Sequence, residues 1–290
     1  MPETPPAAFV EVNELRLHYL DWGGPSSVPA LAFHGFALNC RSWDEVAPAL
    51  RSRVRLHAFD QRGHGLSDRA PKLEEYTRDH MVSDIEGITS SLRLQRSVVI
   101  GHSMGGMNAM NFAARYPDRV RALVLVDVGP EVSIDGASAV AHFVAGPYEL
   151  ESLEAWVEHT HRYYPWRSKE RIRQRLEVSL RRTREGKLAK QYDARFREGS
   201  FGGILRGQDE LWNLARDVRC PTLLVHGGAS PVLTRAMAEK FAAAAKDLRL
   251  VTIPEAGHSV AGDKPDEFVQ SVTDFLDEVL VGPERGQALS

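Results

Sequence analysis

The chain has 290 residues, 43% of them hydrophobic, which is enough to bury one large core with or without an inserted segment. Its formal net charge of −3 indicates no general attraction to nucleic acid or to an anionic membrane. No apolar run approaches the ~20 residues that span a bilayer, and no signal-peptide pattern opens the chain. We therefore expect a cytoplasmic protein that neither binds nucleic acid nor inserts into a membrane; its oligomeric state is not indicated.

The first part of the chain alternates short apolar runs with longer helical patterns. FVEVN and LRLHYLDW predict a pair of strands joined by a turn at Asn13 and Glu14. Four further strands are predicted at 30–35, 53–60, 97–101 and 121–127, and helices at 42–51, 74–93 and 104–115.

The last part of the chain resumes the same alternation. Strands are predicted at 221–227 and 248–254, and helices at 233–246 and 264–280. The strand runs are continuously apolar rather than alternating, which is typical of strands buried on both faces. The sequence thus predicts an α/β fold with a mostly parallel sheet covered by helices on both sides.

Residues 131–210 interrupt this alternation. They carry helical periodicity but no strong strand pattern, so we expect an all-helical insertion. The core domain would then comprise 1–130 and 211–290. Because the insertion follows a strand at the carboxyl edge of the sheet, where ligands bind in such folds, it is a candidate cap.

The segment VVIGHSMGGM contains the pattern Gly-x-Ser-x-Gly, with Ser103 between Gly101 and Gly105. A predicted strand enters it and a predicted helix leaves it, as a nucleophile elbow requires. The sharp turn strains the serine backbone and needs small residues two positions before and after it. Ser103 is therefore the candidate nucleophile; the alternative is a glycine-flanked turn without chemistry.

Two loops supply candidates for a base and for oxyanion binding. His258 lies between the last strand and the last helix, and an imidazole suits proton transfer near neutral pH. His34-Gly35-Phe36 ends the third strand, and a turn there can direct the amide of Phe36 toward the same oxygen as the amide of Met104. We interpret His34 itself as structural.

Together, the segments HGF, FDQRGHGLSD, GHSMGG, LVLVD and PEAGH resemble the α/β-hydrolase superfamily, in particular its serine esterase and lipase branch with a helical cap. The resemblance spans nearly all of residues 8–280. It implies an eight-stranded, mostly parallel sheet, and it implies that residues 131–210 correspond to the variable cap. It also implies structural rather than catalytic roles for Asp60, Arg62 and His64.

The resemblance places the triad acid after strand 221–227, in a Gly-x-x-Asp pattern, but this chain has Gly227-Gly228-Ala229-Ser230 there. Some members of the superfamily keep the acid one strand earlier, and this implies Asp127. Asp127 as a simple turn cap is the alternative reading, with Glu255 and Asp263 as the other possible acids. Our hypothesis is a triad of Ser103, Asp127 and His258.

The expected activity is hydrolysis of a small-molecule carboxylic ester or lactone, without metal or organic cofactor. Cofactor-free haloperoxidases and carbon–carbon bond hydrolases of the same fold are alternatives. Dehalogenases and epoxide hydrolases are disfavoured because they use an aspartate where this chain has Ser103. A non-catalytic ligand receptor on a hydrolase scaffold is the alternative from another class, and Ser230 is the feature that favours it.

The predicted cap carries two further features. Residues 167–197 are rich in Lys and Arg, which is typical either of a solvated helix face or of a surface that attracts anions. Aromatic side chains are expected to line an acyl pocket or to pack in the core: Phe143, Tyr148, Tyr163, Tyr164 and Trp166. Outside the cap, Cys40 and Cys220 fit no metal-ligand spacing, and free buried thiols are favoured over a disulfide.

Overall fold

An antiparallel hairpin opens the sheet in the computed structural model, which describes residues 5–197 and 208–281. Strand β1 (Ala7–Val12) pairs with β2 (Leu15–Gly23). The turn residues Asn13 and Glu14 have φ angles of 51° and 63°, as a tight hairpin turn requires. The predicted turn is therefore confirmed.

The next elements up to residue 126 follow the predicted alternation. The strands are β3 (Pro29–Phe33), β4 (Arg55–Phe59), β5 (Ser97–His102) and β6 (Val120–Val126). The helices are α1 (Ala47–Leu50), α2 (Arg78–Ser91) and α3 (Met104–Arg115). The helix predicted at 42–51 is shorter than expected, since a 3-10 turn at Cys40–Trp43 precedes α1.

The segment predicted as an insertion contains both helices and strands. Its helices are α4 (Ile134–Ala145), α5 (Leu153–Tyr163) and α6 (Lys169–Ser179). Its short strands β7 (Glu149–Leu150), β8 (Leu180–Arg182) and β9 (Leu188–Lys190) form a three-stranded antiparallel sheet in the order β7-β9-β8. The prediction of an all-helical insertion is therefore wrong.

The hairpin between β8 and β9 explains that error. Gly186 has a φ of 85°, a conformation that closes a turn and that few other residues adopt. The turn is closed by hydrogen bonds from Thr183 N to Lys187 O and from Gly186 N to Thr183 O. Strands of two or three residues are too short to produce an alternating apolar pattern, so the sequence showed only the preceding helical periodicity.

The remaining elements complete the sheet and its cover. They are α7 (Gln208–Asp217), β10 (Thr222–Gly227), α8 (Arg235–Ala244), β11 (Leu248–Ile253), α9 (Val260–Asp263) and α10 (Pro265–Val281). The large sheet has eight strands in the order β1-β2-β4-β3-β5-β6-β10-β11, and all strands after the first two run parallel. This confirms the predicted fold class.

Both faces of the sheet are buried. On β6, Leu123 and Leu125 belong to the apolar cluster that includes α2, α3, α7 and α8, while Val124 and Val126 belong to the cluster that includes α1 and α10. Successive side chains of a strand point to opposite faces, so a strand with helices on both sides needs an uninterrupted apolar sequence. The carboxyl ends of the parallel strands meet at one edge, where the candidate site lies.

Candidate active site

Ser103 lies at a sharp turn between β5 and α3. Its φ of 52° and ψ of −117° are outside the regions that non-glycine residues usually adopt, which is the strained backbone expected of a nucleophile elbow. Glycines make the turn possible. A Cβ on Gly101 would come within 2.5 Å of the oxygen of Gly105, and a Cβ on Gly105 within 2.4 Å of the oxygen of Phe33. The hydroxyl of Ser103 is consequently presented above the sheet edge.

His258 lies in the loop between β11 and α9 and contacts Ser103 directly. Its Nε2 is 2.9 Å from the Oγ of Ser103, and its Nδ1 is 2.7 Å from Oδ2 of Asp127. A carboxylate can only accept, so Nδ1 carries the proton and Nε2 is left to accept the hydrogen bond from Ser103. This tautomer is the one that can remove the serine proton.

Asp127 follows β6 and is fully buried. Strand β6 lies between β5 and β10, so its end is next to the strand that carries Ser103. Its Oδ1 accepts from the amide of Gly227 at 2.9 Å, and its Oδ2 accepts from both His258 and the hydroxyl of Ser230. Its backbone φ of 50° is also unusual for a residue other than glycine.

The two other carboxylates near His258 have different partners. The side chain of Glu255 is 82% exposed and pairs with Lys264. Asp263 accepts hydrogen bonds from Arg167 and from the amide of Gly257. The structure therefore brings Asp127, and neither of these, to the imidazole.

Ser230, which was noted in the sequence only as standing where an acid was expected, also contacts the candidate triad. Its hydroxyl donates to Oδ2 of Asp127 and accepts from the amide of Val232 at 3.1 Å. The serine thus holds the carboxylate from the position where the superfamily resemblance placed an aspartate. The signal was available in the sequence, since a hydroxyl beside a relocated carboxylate can serve as its donor.

The loop that follows β3 lies against the elbow. A Cβ on Gly35 would be 3.3 Å from the Cβ of Ser103 and 2.7 Å from Nδ1 of His102, so glycine allows the two segments to touch. Phe36 follows directly, and Met104 is the first residue of α3, where amides have no acceptor within the helix. The two backbone segments proposed to bind an oxyanion therefore flank Ser103.

Two buried histidines near this loop have structural hydrogen bonds. The Nδ1 of His34 donates to the oxygen of Gly35 at 2.7 Å, and its Nε2 accepts from the amide of Gln61 at 3.1 Å. The Nε2 of His102 donates to the oxygen of His258 at 2.9 Å. Burial lowers the pKa of His34 and of His102, so both remain neutral at physiological pH.

The five aromatic residues predicted for a pocket fall into two groups. Phe143 packs edge-on against Tyr163 and Tyr164, and Tyr164 in turn against Trp166, which lies beside Gly257 near the catalytic candidates. Tyr148 lies apart from them. It belongs to a second cluster, which covers Phe36 and includes Tyr192 and Phe196, two residues that were not predicted from the sequence.

The segment 59–68 is held by buried hydrogen bonds, in keeping with the structural role that the resemblance implies. Arg62 forms a bidentate, buried ion pair with Asp84, with both contacts at 2.6 Å. His18, Cys40 and Asp60 place potential metal-ligand atoms within 4.8 Å of one another. The oxygens of Asp60, however, already accept from His18 Nδ1 and from the amides of Cys40 and Leu66, which fits a structural network better than a metal centre.

Part of the basic stretch of the insertion is paired with carboxylates at the surface. Surface ion pairs there join Lys169 to Glu158, Arg173 to Glu154, and Lys187 to Glu149 and Glu151. Exposed pairs of this kind contribute little to stability but do cancel the local charge. Elsewhere, Cys40 and Cys220 are free and buried, as favoured from the sequence. In the part of the chain that the structure describes, no helix has the length and apolar character needed to cross a membrane.

Comparison with known proteins agrees with this fold. The family model for the alpha/beta hydrolase fold matches residues 29–265. The chain is 30% identical to 2-(acetamidomethylene)succinate hydrolase of Mesorhizobium japonicum, over 92% of this chain and 94% of the relative. It is 31% identical to an esterase of Mycobacterium tuberculosis, over 89% of this chain and 85% of the relative.

Among solved structures, an alpha/beta hydrolase from Novosphingobium aromaticivorans superposes with a TM-score of 0.86 at 27% identity, covering 96% of this chain and 99% of that one. The family model, the relatives and the solved structure all point to the same fold, and they support an enzyme of the hydrolase class. The chain belongs to the α/β hydrolase fold family.

Proposed function

We propose that this protein is a serine hydrolase that cleaves carboxylic esters, with lactones as close relatives of its substrates. The observation that carries the proposal is the continuous chain of hydrogen bonds from Ser103 through His258 to Asp127, with heavy-atom distances of 2.9 and 2.7 Å. A hydroxyl, an imidazole and a buried carboxylate in this order are the parts needed for covalent acyl transfer.

In the proposed reaction the Oγ of Ser103 attacks the ester carbonyl carbon while Nε2 of His258 takes its proton. The carbonyl oxygen becomes an oxyanion, which the amides of Phe36 and Met104 stabilise. The tetrahedral intermediate then collapses, and the protonated imidazole gives its proton to the departing alkoxide. Water, deprotonated by His258, attacks the acyl-serine, and the acid is released as the proton returns to Ser103.

Asp127 acts in this scheme by keeping His258 in the productive tautomer and by stabilising the imidazolium that forms during each proton transfer. Ser230 acts one step further away. By donating to the same carboxylate oxygen that His258 contacts, it limits the orientations that Asp127 can adopt. We classify Ser230 as a positioning residue.

Ester hydrolysis is favoured over the alternatives for specific reasons. Enzymes with an aspartate nucleophile are disfavoured by Ser103, and a receptor has no need of a strained serine that is hydrogen-bonded to a histidine. The relatives named above are a hydrolase and an esterase, which supports the reaction class without identifying the ester. The aromatic group around Phe143 and Tyr163 is the proposed acyl pocket.

The test is covalent labelling combined with turnover. A fluorophosphonate should modify the wild type on Ser103 and should not modify Ser103→Ala, whereas Ser138→Ala, an exposed serine on α4, should label normally. A panel of p-nitrophenyl esters of rising chain length, run beside several lactones, identifies the acyl preference. A folded wild type that neither labels nor hydrolyses any member of the panel would favour the receptor interpretation instead.

A further inference from the structure

Arg175 on α6 differs from the paired arginines around it. Its guanidinium lies against the backbone of α9: a Cβ on Gly262 would be 1.9 Å from Nη1 and 2.7 Å from Cζ of Arg175. Its Nη1 is shielded from solvent, and within residues 5–197 and 208–281 it has no hydrogen-bond partner. Burial lowers the pKa of Arg175, because a charged group loses hydration there.

Arg167 lies close by with a similar free donor. Its side chain is only 10% exposed, its Nε donates to Asp263 at 2.6 Å, and its guanidinium carbon is 4.4 Å from the centre of the Tyr164 ring. Its Nη2 is also shielded and, among the described residues, unpartnered. The positive charge of Arg167 lowers the pKa of Arg175 further, so the two guanidinium groups are neighbours.

The carboxylates around Arg175 already have other partners. They pair as Glu45 with Arg171, Asp263 with Arg167 and Asp44 with Arg41, at 2.6, 2.6 and 2.8 Å. One cation in this group is therefore left without a protein anion, counted over the described part of the chain. A shielded charge without an ion-pair partner of its own is costly to the folded state, which makes such a group a candidate for binding a ligand.

The two arginines are also close to the reacting groups. Gly262, against which Arg175 lies, is four residues beyond His258 in the chain. The charge of Arg175 reaches His102, the residue before Ser103, and contributes to lowering the pKa of that imidazole. Arg167 holds Asp263, which accepts from the amide of Gly257 next to His258. Both guanidinium groups thus border the histidine loop.

We propose that Arg175 and Arg167 bind a free carboxylate of the substrate, so that the preferred esters are those of dicarboxylic acids with one acid group unesterified. This inference rests on the proposed ester hydrolysis at Ser103. The Nη1 of Arg175 and the Nη2 of Arg167 are the donors, and guanidinium groups suit carboxylates because their N–H groups match the spacing of the two oxygens. The bound carboxylate supplies the direct ion-pair partner that Arg175 lacks among the described residues.

The test compares two esters that differ in one charge: mono-p-nitrophenyl glutarate and its methyl ester. The measured quantity is the ratio of kcat/KM for the acid to kcat/KM for the neutral ester. Arg175→Gln should lower this ratio at least about tenfold, the effect of losing a hydrogen bond between charged groups. Arg173→Gln changes a half-exposed, ion-paired arginine on the same helix and should leave the ratio unchanged.

A binding measurement separates this inference from the proposed reaction. Glutarate should raise the Tm of the wild type and of Ser103→Ala but not of Arg175→Gln. Arg175→Gln alone should be at least as stable as the wild type, because it removes an uncompensated charge, whereas loss of a structural arginine would lower Tm.

Each outcome decides one of the two proposals. Equal ratios in wild type and Arg175→Gln, with both esters hydrolysed, would overturn the carboxylate site and leave the esterase intact. Absence of hydrolysis with a glutarate shift that requires Arg175 would overturn the esterase and support the carboxylate site. A larger Tm shift with inorganic phosphate than with glutarate would reject the carboxylate assignment in favour of a phosphate ligand.

Discussion

Replacing Asp127 by asparagine tests the central assignment with almost no change in side-chain shape. The buried amide of Gly227 donates to Oδ1 and therefore requires an oxygen at that position in the variant. The amide nitrogen of asparagine must then take the place of Oδ2 and donate to Nδ1 of His258. The imidazole would carry its proton on Nε2 and would no longer be able to accept the proton of Ser103.

The expected loss of kcat follows from this change in the tautomer of His258. Loss of the triad acid in a serine protease with the same arrangement lowers kcat by about 10⁴, equivalent to about 5 kcal/mol of transition-state stabilisation. The hydroxyl of Ser230, which also points to Oδ2, would face the amide nitrogen and would have to turn. We therefore expect Asp127→Asn to lose about 10⁴ in kcat, with a smaller effect on KM.

The assay is steady-state hydrolysis of the best p-nitrophenyl ester, with circular dichroism to verify folding. Glu255→Gln is the matched control, because Glu255 is the exposed carboxylate nearest to His258 in sequence, and it should retain activity within about twofold. Adding Ser230→Asp to Asp127→Ala should restore part of the rate. If folded Asp127→Ala keeps near-wild-type turnover, the acid has been assigned wrongly.

Three further predictions concern the surroundings of the site. Ser230→Ala should lower kcat by about tenfold, with Ser230→Thr retaining activity, because only one donor to the carboxylate of Asp127 is lost; a loss equal to that of Asp127→Asn would contradict the positioning role. Gly101→Ala should destabilise the fold by about 1–3 kcal/mol in denaturant titration, since its Cβ meets backbone at 2.5 Å, and an unchanged midpoint would refute that contact. Burial lowers the pKa of Lys190 to about 8, so the folded protein releases a proton at lower pH than the unfolded chain, and stability should rise between about pH 8 and 10.5. Lys190→Met should accordingly be more stable than wild type at pH 7, by up to roughly 3 kcal/mol, and a less stable variant would show that the contact with the ring of Phe143 outweighs the burial cost.

The location of the proposed triad acid shows how much of the site could be predicted from the sequence. The absence of a carboxylate in residues 221–234 was visible in the sequence, and the resemblance to the superfamily implied Asp127 as the substitute. The contact at 2.7 Å depends on the left-handed backbone at Asp127 and on the amide of Gly227, both set by how three strands end together. The hydrogen bond that Ser230 donates to Asp127 also depends on how these strands end together, and it was not predicted.

The insertion was the least predictable part. Its helices were expected, but its three-stranded sheet was not. Strands of only two or three residues are too short to show a periodic apolar pattern in the sequence. The shielding of Arg175 was equally invisible. In the sequence it is one basic residue among many between 167 and 197, and only its approach to Gly262 and its lack of an ion pair distinguish it from Arg171 and Arg173 on the same helix.

The sequence by itself determined the fold class, the elbow at Ser103 and the histidine loop, because apolar periodicity, glycine spacing and chain order are local properties. Tertiary structure decided which carboxylate meets His258, which hydroxyl supports it and which arginine is left without a protein anion. The contacts of Asp127 join residues about 100 positions or more apart, and the shielding of Arg175 depends on the approach of α6 to Gly262. Hydrogen bonding and burial depend on distance in space rather than along the chain.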